Sequence, residues 1–156
     1  MTNLESLNYA VRDIPAERMR LLLHSWGNYE VPHHHDVPLR DIIDLLLQAR
    51  PAGFSFEAAN PRHEHEWTVF AKVRVPEEKV LIPGILDSTT NFIEHPELVA
   101  QRIRRFASLV GRERVIAGTD CGFATFAGSS TVDPDIAWAK LHVRAEGARL
   151  ASQQLW

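Results

Sequence analysis

Short apolar runs alternate along the chain with longer amphipathic stretches. Residues 19–26 (MRLLLHSW), residues 53 to about 58 (GFSFEA), residues 79–87 (KVLIPGILD) and residues 114–120 (RVIAGTD) are each brief and bounded by polar or turn-forming positions. That pattern predicts four buried strands. Between and after them lie helical patterns. In LRDIIDLLLQAR, Leu39, Ile42, Ile43, Leu45, Leu46 and Leu47 give an apolar stripe suited to packing on a sheet. HEHEWTVFAKV predicts a short helix. HPELVAQRIRRFASLVG carries Pro96 in its first turn and Gly111 just past its end, the asymmetry helices favour. The final helix, DPDIAWAKLHVRAEGARLASQQ, opens on Asp133 and Pro134.

The predicted order is β-α-β-α-β-α-β-α, an α/β chain with a parallel sheet and helical crossovers. Four consecutive βα units are half of a (βα)8 TIM barrel, which typically takes ~250 residues. Residues 1–18 read as a lead-in segment and residues 19–156 as the half-barrel domain. No fixed-period repeat is visible. Parallel sheets are normally covered on both faces. A half barrel would therefore expose an apolar face and two strand edges unless a second copy or a complementary half-barrel subunit covered them. The rival arrangement is a small doubly wound sheet, which needs no partner.

Composition narrows function mainly by exclusion. The 156 residues are 45% hydrophobic and 24% charged, with a net charge of −3. That balance is ordinary for a globular domain and gives no electrostatic case for nucleic acid or a membrane surface. No apolar run is long enough to span a bilayer, and the N-terminal residues do not read as a secretory signal. A single cysteine cannot form an internal disulfide, so a cytoplasmic location is the default expectation. Six of the eight histidines fall between His24 and His65.

Polar residues gather where the strands end, the side of a parallel sheet on which chemistry collects. The first strand ends in His24, Ser25 and Trp26, followed by Asn28 and Glu30. The second is followed by Glu57 and Asn60, the third by Asp87, Ser88 and Thr89, the fourth by Asp120 and Cys121. A carboxylate at Glu57, after Phe54 and Phe56, is costly unless paired or bound to metal. Cys121 is either a small packing residue or a ligand or nucleophile. Asp87 and Asp120 are either helix caps or functional groups. The run His33–His35 is a solvated loop or one that faces substrate or metal. His63 and His65, in the charged stretch PRHEHE, are expected to face solvent. Arg102, Arg104 and Arg105 are expected to form a solvated helix face.

WGNYE, PHHHDVPL, FSFEAANPRHEHEW, GILDSTTNFIEHPELVAQRI and VIAGTDCGF, taken in order, resemble the C-terminal half of cobalamin-independent methionine synthase-like proteins. The closest branch is the shorter type that includes epoxyalkane:coenzyme M transferase. The resemblance runs from about Met19 to about Ala148. It implies a βα barrel that binds zinc and uses it to hold a thiol as a thiolate, which attacks an alkyl carbon. It implies a small-molecule substrate, in the family a thiol. The family's ligands are a His-x-Cys pair, a Glu and a Cys. Glu57 and Cys121 match the last two. Leu23 and Ser25 stand at the pair, with His24 between them, and strand alternation would turn His24 from a metal facing Leu23. A bulge or one-residue shift would bring it back. The expected metal set is thus His24, Glu57 and Cys121, with Asp87 and Asp120 orienting ligands and His35 and Asp36 near substrate. Two alternatives go with the departure at Leu23 and Ser25. One is a metal-free, lyase-type enzyme using the same pocket. The other is a non-catalytic or regulatory half-barrel subunit.

Overall fold

A computed structural model describes residues 3–23, 32–124, 128 and 131–156. Its centre is β2 (Gly53–Phe56), a four-residue strand buried throughout. β1 (Arg20–Leu23) and β3 (Val80–Pro83) flank it, both parallel, in the order β1-β2-β3. The pairing sets Leu21, Phe54 and Leu81 side by side, and likewise Leu22, Ser55 and Ile82. The predicted fourth strand joins the sheet only through two parallel bridges, Leu81 to Val115 and Gly84 to Gly118. The described sheet therefore has three strands and a bridged fourth segment, rather than four full βα units.

The helices follow the sequence pattern with trimmed ends. α1 (Asn3–Ala10) lies in the lead-in segment, and α2 (Leu39–Leu46) follows β1. The expected short helix is a 3-10 turn, Glu64–Glu66, running into the single-turn α3 (Trp67–Phe70). α4 (Pro96–Val110) follows β3, and α5 (Pro134–Leu155) closes the described chain. Asp133 caps α5 by accepting from the Asp135 N–H at 2.9 Å. His95, not Asp87, caps α4. Among the described residues no helix is long and apolar enough to cross a membrane.

Side-chain alternation decides the layering. One core cluster joins Leu39, Ile43 and Leu47 of α2 to Phe54, Phe56, Phe70, Leu81 and Phe106, with Leu21, Leu23 and Val115 packed against it. A second joins Ile85 and Leu86 to Val99, Ala100, Ile103 and Ala151. Every strand residue in these clusters comes from one sheet face. Among the described residues the helices pack on that one face, the layer pattern of a partial barrel rather than of a doubly wound sheet. α4 and α5 approach closely at Gly147. A Cβ there would lie 2.3 Å from Val99 Cγ1 and 2.9 Å from the Pro96 carbonyl oxygen.

Candidate functional site

Glu57 is the first residue past β2. It is buried, and its Oε2 accepts from Asn60 Nδ2 at 2.9 Å. Asp120 ties this turn to the end of the fourth segment. Its Oδ1 accepts from the Ala58 and Ala59 N–H groups at 2.8 and 2.9 Å. Its Oδ2 accepts from the Asn60 N–H at 2.7 Å and from Asn60 Nδ2 at 3.0 Å. Burial pushes the Asp120 carboxyl up to about 7, against the pull of the Ala58 and Ala59 N–H groups, and the Glu57 charge adds to the rise. The close approach requires Gly84, because a Cβ there would lie 2.1 Å from Asp120 Oδ1.

Cys121 follows directly and is half-buried. Burial raises its thiol pKa above the ordinary value. The Gly122 N–H opposes the rise, and the negative charges of Glu57 and Asp120 reinforce it. A thiol so placed is a poor nucleophile by itself, and a cation beside it would reverse that.

A second polar group lies against the β1 and β2 ends. His63 Nδ1 donates to Glu66 Oε2 at 2.8 Å, and its Nε2 lies 3.4 Å from Asp36 Oδ2 and 3.7 Å from Glu57 Oε2. Glu66 Oε1 accepts from the Leu39 N–H at 2.7 Å, at the start of α2. Burial lowers the His63 pKa, but the Glu66 hydrogen bond and the nearby carboxylates outweigh it, so the net shift is upward. His33, with φ of 52°, sits in the left-handed region and donates from Nδ1 to Asp36 Oδ2 at 2.9 Å. A cavity of about 270 Å³ is walled by Leu23, Leu39, Ile42 and Phe56, with His35, Asp36, Glu57, His63 and Glu66 at its polar side. An apolar wall with a few convergent polar groups is the usual form of a small-molecule pocket.

The β3 end is built differently. Asp87 Oδ1 accepts from the Thr89 N–H and hydroxyl at 3.0 and 2.8 Å, and Oδ2 accepts from the Thr90 hydroxyl at 2.6 Å. Glu94 Oε1 accepts from the Asp87 N–H at 2.8 Å. Lys140 of α5, fully buried, donates to Glu94 Oε2 at 2.9 Å and to the Asp87 carbonyl at 3.1 Å.

The structure thus brings Glu57, Asp120 and Cys121 into one cluster and sets His35 and Asp36 at the cavity beside Glu57. Asp87 belongs to the separate Thr89–Thr90 turn. His24 and Ser25 lie outside the described residues. Leu23 packs against the helical core and also lines the cavity beside Glu57. Two solvent assignments are corrected. His63 is only 7% exposed, while His65 is exposed as read. Arg102 is 6% exposed and donates to the Ile85 and Ala59 carbonyls and to Glu64. Glu66, Glu94 and Lys140 were not anticipated as polar site or framework groups.

A carboxylate and a thiol are a donor pair suited to zinc. Among the described residues no group of three or more His, Cys, Asp or Glu side chains is arranged to hold a metal ion. The two described donors would need a third from outside that set.

No family model matches the sequence. No curated protein matches it. Among solved structures, a B12-independent methionine synthase from Shewanella sp. W3-18-1, solved in complex with selenomethionine, is similar with a TM-score of 0.72 at 18% identity. The match covers 97% of this chain and 43% of that one, so the chain spans less than half of that enzyme's length. The likeness is one of fold: a mixed α/β chain with a parallel sheet fits part of that enzyme's TIM barrel.

Proposed function

We propose that this chain is related to the cobalamin-independent methionine synthases and carries part of a zinc-assisted thiol alkyl (methyl) transfer site. The observation that carries the reading is the joining of Glu57 and Cys121, the two residues matching family ligands, through Asn60 and Asp120. The fold likeness to a methionine synthase supports it. Glu57, Cys121 and His24 would hold the metal. When bound, zinc would supply a Lewis-acidic centre that keeps a substrate thiol deprotonated at neutral pH.

The chain's own residues would do the rest. Asp120 and Asn60 fix the turn that presents Glu57 and Cys121. The 270 Å³ cavity would admit a small apolar chain past Leu23, Ile42 and Phe56, with His35 and Asp36 meeting its polar end. In the reaction the substrate thiol loses its proton and a new S–C bond forms. The bond from that carbon to the leaving group breaks, and the leaving group departs with the electron pair.

A second reading, a non-catalytic half-barrel subunit, is favoured by one observation: Leu23, an apolar side chain that can bind no metal, stands where the family has a histidine. Elemental analysis of the untagged chain separates the two. The transfer reading expects about one zinc per chain, lost in both Cys121→Ser and Glu57→Gln. Wild type that takes up no zinc when reconstituted with it would sink that reading.

A further inference from the structure

We propose that the cavity at the β1 and β2 ends selects its ligand by charge, taking an aliphatic chain that ends in an ammonium group and refusing the same chain ending in a carboxylate. The inference rests on that cavity being the substrate's, as read above, and not on the metal.

The cavity is chemically one-sided. Leu23, Leu39, Ile42 and Phe56 offer apolar surface. Facing them are three carboxylates, Asp36, Glu57 and Glu66, and two imidazoles, His35 and His63. Among the described residues neither arginine nor lysine lines it. An ionised carboxylate accepts hydrogen bonds and donates none. A ligand carboxylate or sulfonate would therefore enter against like charge, with no guanidinium or ammonium to receive it. A ligand ammonium would bring donors and the missing sign.

The donors already in place do not use up the acceptors. Glu66 is satisfied, one oxygen by the Leu39 N–H and the other by His63 Nδ1. His63 Nε2 is then divided between two carboxylates, 3.4 Å from Asp36 Oδ2 and 3.7 Å from Glu57 Oε2, both long for a hydrogen bond. His33 Nδ1 donates to the same Asp36 oxygen at 2.9 Å. Among the described residues Asp36 Oδ1 accepts no hydrogen bond, although the Asp36 side chain is only 11% exposed. A carboxylate oxygen so enclosed is costly without a donor, and a ligand N–H would offset that cost. The imidazoles do not remove the imbalance. Even a charged His63 leaves the carboxylates in excess, and His35 is exposed, so water and salt screen any charge it carries.

The test is methyl NMR on the full 156-residue chain, treated with chelator, at about pH 8, above the ordinary imidazole pKa of about 6.5. n-Butylammonium, n-butanol and butyrate are titrated in turn, and the methyl resonances of Leu23, Leu39 and Ile42 report binding at the wall. Butylammonium should move those methyls and bind about tenfold more tightly than butanol. Butyrate should bind more weakly than butanol. In Asp36→Asn, butylammonium should fall to the affinity of butanol, while butanol keeps its own. Equal binding of butylammonium and butanol to wild type would make the cavity a plain apolar pocket and overturn the proposal. Butyrate binding as tightly as butylammonium would overturn it, as would an ammonium preference that survives Asp36→Asn, or wall methyls that respond to none of the probes. Every titration is read without zinc. A chain that selects ammonium but takes up no zinc would lose the transfer reading and keep this one, and zinc uptake without ammonium selection would do the reverse.

Discussion

The ends of β2 and β3 present the same signal in sequence, an acidic residue just past an apolar run, yet the fold uses them in opposite ways. At the β3 end the polar groups answer one another. Asp87 is taken up by Thr89 and Thr90, and Glu94 is matched by the buried ammonium of Lys140. At the β2 end negative charge accumulates. Glu57 lies close enough to Asp120 and Cys121 to raise the pKa of both; Asp120 is held by N–H dipoles rather than a cation, and Glu57 has only the imidazole of His63 at 3.7 Å, shared with Glu66 and Asp36. A buried carboxylate with a matched cation is framework. Buried carboxylates gathered beside a thiol and a cavity have the character of a site.

The largest expected effect breaks the framework side of this contrast. Lys140→Met removes the cation and leaves Glu94 buried without it, which should cost about 3 kcal/mol of unfolding free energy in urea. Glu57→Gln keeps the Asn60 contact and relieves repulsion at Asp120 while giving up the 3.7 Å approach to His63, so its stability should change much less than that of Lys140→Met. If both variants lost stability equally, the distinction between framework and site would fail. Gly84→Ala should fall between them, costing about 1–3 kcal/mol by forcing a methyl group against Asp120. An unchanged urea midpoint there would mean that the Asp120 clamp is not held as tightly as its geometry implies.

How much of this was legible depends on which physical signal each residue carries. Hydrophobic period and caps located α2, α4, α5 and the three paired strands, because burial of one face is written directly in spacing. The fourth strand was less legible. RVIAGTD is as apolar as its neighbours, but it contributes only two bridges, at Val115 and Gly118. Glu57, Asp120 and Cys121 were placed at strand ends by topology alone, and the structure brings them together. His63 was misread because PRHEHE is polar on every side. Its burial comes from an i, i+3 pairing with Glu66 and from a carboxylate, Asp36, 27 positions earlier. Arg102 could have been found. It lies three residues past Val99 and four before Phe106, on the buried stripe of α4. Lys140 shares its α5 face with Gly147 and Ala151, seven and eleven positions on, so a lysine in line with small close-packed residues was the available sign of burial.

The smallest effect sharpens the comparison most, because it reads the charge on Glu57 through its neighbour. Only the thiolate of Cys121 alkylates, so the pH profile of iodoacetamide modification reports the thiol's pKa. In chelator-treated wild type that profile should lie above the range of an exposed cysteine, since burial, Glu57 and Asp120 all disfavour the anion. Glu57→Gln removes one of the two negative neighbours. The pKa should then fall and the profile move to lower pH, giving faster modification at any fixed pH below the plateau. Glu94→Gln removes an equal charge from the β3 end, where Lys140 already balances it, and should leave the profile where it was. A shift in both variants would mean that Cys121 senses net charge rather than a specific neighbour. A shift in neither would separate Glu57 from Cys121 electrostatically, and a common metal for the two would lose its support. Zinc titrated into wild type should protect the thiol from modification. Failure to protect, with Glu57 still setting the pKa, would leave the two side chains coupled as neighbours without making them ligands.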